Sequence, residues 1–110
     1  MGLALLQFAV VNMYNSDYQG FWLTYGVNNV RVYVTTTDPG VNFGNLSNTA
    51  LVFTGIIPIN SSDNGGVNRS YINVQRVCKG TYVVFDFIDG QSSNSNAYMG
   101  VRRIELYGYA

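Results

Sequence analysis

The chain has 110 residues, 47% of them hydrophobic and only 11% charged, with zero net charge. That length suits one domain, residues 1–110, with a two-layer core, and the apolar content excludes disorder. Scattered basic residues (five Arg, one Lys) exclude electrostatic nucleic-acid binding, the lack of any His removes the commonest general base and metal ligand, and a lone Cys78 excludes an internal disulfide or thiolate metal cluster.

In chain order, residues 1–12 lack the positive start and small-residue cleavage site of a signal peptide, and they are too few to span a bilayer. They read as a buried strand with Gln7 as its only polar interruption. Residues 12–20 form a turn-rich loop carrying Tyr14, Asp17 and Tyr18, followed by the aromatic segment Phe21-Trp22-Leu23-Thr24-Tyr25. Val30 to Thr37 is the clearest strand, with Val30, Val32 and Val34 inward and Arg31, Tyr33 and Thr35 outward. A polar connection runs from Asp38 to Thr49. Ala50 to Thr54 and Gly55 to Ile59 are extended, with Pro58 marking an edge or an end. After a second polar loop, Ser70 to Val77 alternates Tyr71, Asn73, Gln75 and Val77 against Ile72, Val74 and Arg76. Cys78, which follows directly, reads as a small buried apolar residue.

The last two segments carry the strongest pattern. In Gly80–Gly90, Val83, Phe85 and Phe87 share one face and Tyr82, Val84 and Asp86 the other. In Tyr98–Gly108, Ile104 and Leu106 oppose Arg103, Glu105 and Tyr107. Phe85 and Ile104 are expected in the core, on neighbouring strands. The loop between these segments holds Asn94 and Asn96. Nowhere does a helical apolar period persist, so the expectation is an all-β antiparallel sandwich of about seven or eight strands.

The closing residues, Gly-Thr-Tyr-Val-Val-Phe-Asp-Phe followed by Met-Gly-Val-Arg-Arg-Ile-Glu-Leu-Tyr-Gly, resemble the end of the discoidin, or coagulation-factor type C, family. The resemblance implies a discoidin-like (galactose-binding-like) β-sandwich, or jelly roll. Such domains carry a further segment before the first strand, with a loop that contributes to a calcium site, so the resemblance implies a trimmed domain or one completed by a neighbouring chain. Their calcium site often uses an acid at the position of Arg103; here only the second acid, Glu105, is kept, and an arginine there could pair with a nearby carboxylate. The stretch Val11-Asn-Met-Tyr-Asn-Ser-Asp17 is loosely similar to the fucose-binding lectins of the superfamily. Asp17 matches their Asp, while their paired cysteines and sugar-binding His have no counterpart.

The six carboxylates, Asp17, Asp38, Asp63, Asp86, Asp89 and Glu105, form no evident acid–base pair, and Asp38 and Asp63 are explained as turn residues. Asp86 and Asp89 read as solvated. A non-enzymatic protein without cofactor or bound metal is therefore expected. Binding chemistry is better represented. Aromatic faces suit a sugar's C–H surface and planar polar side chains suit its hydroxyls, which singles out Tyr14, Asp17, Tyr18, Trp22, Arg69, Asn94 and Asn96. Trp22 and Phe21 serve equally well as plugs of the core. The expected partner is a glycan or another protein, including a second copy of the chain, without nucleic acid or membrane insertion. The two readings are a lectin-like adhesion module and a structural subunit of a fibre or tail, both acting outside the cell or on a virion surface.

Overall fold

The computed structural model describes residues 2–12, 27–58, 68–89 and 101–110. These residues form seven strands: β1 (Leu3–Asn12), β2 (Asn29–Thr35), β3 (Leu51–Ile56), β4 (Asn68–Asn73), β5 (Lys79–Gly80), β6 (Tyr82–Phe87) and β7 (Val101–Tyr109). All pairings are antiparallel. Two short 3-10 turns, Val41–Phe43 and Asn48–Ala50, sit in the polar connection between β2 and β3.

Two sheets pack face to face. In the first, β1 is central. It pairs β7 from Ala4 to Asn12, and β4 from Gln7 to Asn12. Ala4 is partnered by both Lys79 and Tyr109, so β5 continues β4's side while β7 holds the other. The second sheet has the order β3-β2-β6. The apolar content of β1 explains its place: a strand flanked on both edges and covered on both faces must be almost wholly apolar. Leu5, Phe8 and Val10 enter the core, while Ala9 and Val11 are buried on the opposite face.

Phe8 is the centre of the inter-sheet contact. Its ring meets Phe53 of β3 edge-on at 5.5 Å and Phe85 of β6 at 5.3 Å. Val30, Val32 and Val34 of β2 line the same core, as the alternation requires. A register shift between Val32 and Tyr33 leaves Val52 as the extra residue on β3, and both Val52 and Phe53 reach the core. A bulge has this effect because it interrupts the strict up–down alternation.

The chain passes from one sheet to the other at Gly80. β5 pairs β1, yet the next residues join β2, with the Thr81 N–H donating to the Thr35 carbonyl at 3.1 Å. A Cβ on Gly80 would lie 2.6 Å from that same carbonyl oxygen, so glycine is required at this corner. Gly108 is similarly constrained, since its Cβ would collide with the Ala4 carbonyl oxygen.

Four expectations are corrected. Phe85 and Ile104 both face inward, but they belong to opposite sheets: Phe85 pairs Val32 and Ile104 pairs Val10. Tyr33, expected outside, is buried because Leu51 and Val84 flank it on both neighbouring strands. The strand expected from Ser70 to Val77 ends at Asn73. There Gln75 turns toward β3 and holds both backbone groups of Thr54, its Oε1 accepting from the N–H and its Nε2 donating to the carbonyl, each at 3.0 Å. Cys78 is half-buried rather than part of the sealed core.

Phe8→Ala should cost about 3–5 kcal/mol, whereas Phe85→Ala should cost less because its ring is only partly buried at the core's margin. Urea denaturation of the two variants checks this order, and equal losses would contradict the central role of Phe8.

Candidate functional site

Three segments, 13–26, 59–67 and 90–100, join the described strands at one end of the sandwich. They meet the first sheet at Asn12, Asn68 and Val101, where Asn12 is the register partner of both of the others. The second sheet presents its matching ends there too, with Asn29 opposite Ile56 and Val30 opposite Phe87. The Ser70 hydroxyl donates to the Pro58 carbonyl and ties the two sheets together at this end. Tyr14, Asp17, Tyr18, Trp22, Asn94 and Asn96, with the aromatic segment Phe21–Tyr25, lie outside the described residues. Arg69 lies within them, next to Asn68.

A clamp fixes this end. Asp89 Oδ1 accepts from the Asn29 N–H at 2.9 Å, and both of its carboxylate oxygens accept from Asn29 Nδ2 at 3.1 and 3.0 Å. The Asn28 N–H donates to the Asp89 carbonyl at 2.9 Å, and the Ile57 N–H donates to the Asn28 carbonyl at 2.7 Å. Asp89 is thus not merely solvated, as its sequence position suggests. The backbone N–H of Asn29, then its side-chain amide, holds the carboxyl below its ordinary value.

Arg69 opens a second feature, the outer face of the first sheet. Along β1 that face carries Gln7, Ala9 and Val11. Asn73, Tyr71 and Arg69 flank it on β4, and Tyr107, Glu105 and Arg103 flank it on β7. Ala9 and Val11 are small, so long side chains from both flanks meet above them. Arg69 Nε lies 3.0 Å from Glu105 Oε1, an ion pair too bent to be an aligned hydrogen bond, and Arg69 Nη2 donates to Oε2 at 3.4 Å. Arg103 Nη2 sits 2.9 Å from the same Oε2. The Tyr107 hydroxyl donates to Oε1 at 2.9 Å. The Tyr71 and Tyr107 rings meet at 6.2 Å, and the Arg69 guanidinium lies 6.0 Å from the Tyr71 centroid. Gln7 Nε2 completes the row by donating to Asn73 Oδ1 at 3.1 Å.

This roof covers Ala9 and Val11 with tyrosine rings, guanidinium groups and amides. The Tyr107 hydroxyl, with Arg69 and Arg103 adding their charge, holds the Glu105 carboxyl below its ordinary value. The same bond raises the Tyr107 hydroxyl above its usual range. Glu105 is therefore a fixed anion that organises its neighbours. The pairing of Arg103 with a carboxylate, expected from sequence, is present. What sequence reasoning missed is that Glu105 and Tyr107 reach across β1 to the β4 residues.

A separate shallow cleft of about 310 Å³ lies where β2 ends, lined by Thr35, Thr37, Ser47, Thr49, Cys78 and Lys79 among others. Several of its hydroxyls are already engaged, Ser47 with Thr49 at 2.6 Å and Thr35 with the Thr37 N–H at 3.1 Å. Comparison of the chain with family models, curated proteins and solved structures returned no match.

Two outcomes follow from the two carboxylates. Folding keeps a proton off Asp89, so its contribution is complete above the ordinary carboxylate range, near pH 4, and is lost as pH falls through the lowered folded value. Asp89→Asn should therefore make the acid limb of a melting-temperature profile shallower; Glu105, shifted the same way, keeps it from vanishing. Both oxygens of Glu105 are engaged by two guanidiniums and a hydroxyl, which a divalent cation would have to displace. Addition of EDTA should leave the melting temperature unchanged, and a drop reversed by calcium would contradict that reading.

Proposed function

We propose that the chain is a non-catalytic carbohydrate-binding or adhesion module, a discoidin-like jelly roll that works from the loops at one end of the sandwich. The observation that carries this reading is the pairing of Asn12 with both Asn68 and Val101. It brings the attachment points of three polar segments, two of them carrying aromatic residues, together beside Arg69. Loops held on a rigid β scaffold are where such domains place recognition, because they can vary without disturbing the core. The chemistry of those segments suits a sugar: Tyr18 and Trp22 offer apolar ring faces, while Asp17, Asn94, Asn96 and Arg69 offer planar hydrogen-bonding groups. Tyr14 adds a further ring. The module acts outside the cell or on a virion surface.

A second reading, a structural subunit of a fibre or tail, is favoured by one observation. The outer face of the first sheet exposes Tyr71, Tyr107 and Tyr109, together with Arg103. Exposed tyrosine and arginine are enriched where proteins meet.

A glycan array run beside size-exclusion chromatography separates the two. Sugar binding by a monomer supports the first, and silence with self-association the second. Tyr18→Ala should leave the fold intact and weaken the contact by about 1–3 kcal/mol, the scale of a modest hot spot. If glycan binding and self-association both survive that change unaltered, the loop end is not the site.

A further inference from the structure

Charge is divided unevenly between the two sheets. The four strands of the first sheet hold four of the chain's six basic residues, Arg69, Lys79, Arg102 and Arg103, and one of its six carboxylates, Glu105. The strands of the second hold one of each, Arg31 and Asp86. A chain without net charge thus has a basic first sheet. Three of the cations belong to its outer face: Arg69 and Arg103 through their contacts with Glu105, and Lys79 through its pairing with Ala4, which alternates with the core residue Leu5. Glu105 offsets only part of this charge. Both of its oxygens are shared between the two arginines, and the Arg103 side chain is still 59% exposed. No carboxylate of the described residues pairs with Lys79.

Between Arg103 and Lys79 the face is made of rings and amides. Their register partners on β1, Val11 and Ala4, are separated by roughly 23 Å of extended strand at about 3.3 Å per residue. Tyr71, Tyr107 and Tyr109 stand along that length, each at least 40% exposed. The single bond from Gln7 to Asn73 leaves the Gln7 carbonyl and the Asn73 amide protons without a partner among the described residues. Rings suit the C–H faces of sugars, amides suit their hydroxyls, and a cation at either end suits an anion. A phosphate backbone asks for a continuous run of positive charge, which Glu105 interrupts. A second copy laying the same face against this one would set cation against cation.

We propose that the outer face of the first sheet binds an acidic polysaccharide, with sugar rings on Tyr71, Tyr107 and Tyr109 and carboxylates or sulfates on Arg103 and Lys79. The class of partner rests on the sugar-binding reading, but the surface is a second one. Lys79 and Tyr109 pair Ala4, at the far end of β1 from the attachment points at Asn12, Asn68 and Val101.

Affinity electrophoresis through gels containing hyaluronan, heparin or dextran tests this. Hyaluronan carries carboxylates, heparin carries sulfates as well, and dextran is neutral. The chain should be retarded by hyaluronan, heparin or both and not by dextran, and the retardation should weaken as salt is raised. Tyr71→Ala and Arg103→Gln should each weaken it by about threefold or more, the scale of one ring contact or one exposed ion pair. Both variants should keep the circular dichroism of the unaltered chain, and if Tyr71→Ala fails to fold, Tyr109→Ala takes its place. Tyr18→Ala should leave the retardation unaltered. Binding lost in Tyr18→Ala and kept in Tyr71→Ala would overturn the proposal while leaving the loop end as the sugar site. Equal retardation by dextran, or none by any of the three polymers, would overturn it too. So would retardation that Tyr71→Ala does not change, since attraction of charge alone does not need the rings.

Discussion

The structure depends on one strand, β1, whose residues Phe8 to Val11 are buried on both faces. β1 is hydrogen-bonded along both edges and covered on both faces, by Phe53 and Phe85 beneath and by the Arg69–Glu105 and Tyr71–Tyr107 contacts above. From Gln7 to Val11 the strand has a register partner on both edges, so β4 and β7 must both find their register against it. Its side chains set the spacing. Phe8 is large enough to reach the second sheet, and Ala9 is small enough to let Arg69 and Glu105 meet over it. The polar surface of the first sheet is therefore a consequence of the apolar strand below it.

Much of this arrangement can be read along the chain. Strict alternation located β2, β6 and β7 and assigned Val32, Phe85 and Ile104 to the inner face. The apolar run of β1 marked it as buried. Partnership could not be read, because alternation says which way a side chain points and nothing about which strand lies beside it. Phe85 and Ile104 carry the same pattern and fall in opposite sheets. The departures from alternation were equally hidden. Val52 reaches the core only through a bulge that depends on the register with β2, and Gln75 leaves its strand to bond Thr54, a contact of tertiary origin.

The candidate site follows the same division. Arg69 was identifiable as a polar group beside a loop, but its partner Glu105 lies 36 residues away and meets it only across β1. The one available signal was the spacing of Arg103, Glu105 and Tyr107 on a single face of a strand. Asp89 was hidden for the same reason: an exposed carboxylate after a strand has the same sequence appearance whether it is solvated or, as here, gripped by Asn29. The loop residues of greatest chemical interest lie outside the described residues; what is seen is that their segments join the first sheet at Asn12, Asn68 and Val101.

Native-state hydrogen exchange tests the central position of β1 most directly, because protection reports how much of the fold must open to expose an amide. The slowest-exchanging amides should fall in β1, across Leu5–Val11, and in β2, across Val30–Val34, with β4 and β7 faster at their outer edges. If β1 amides exchange as fast as those on the outer edge of β7, the strand is not enclosed on both sides, and neither the core nor the polar surface above it is organised around β1.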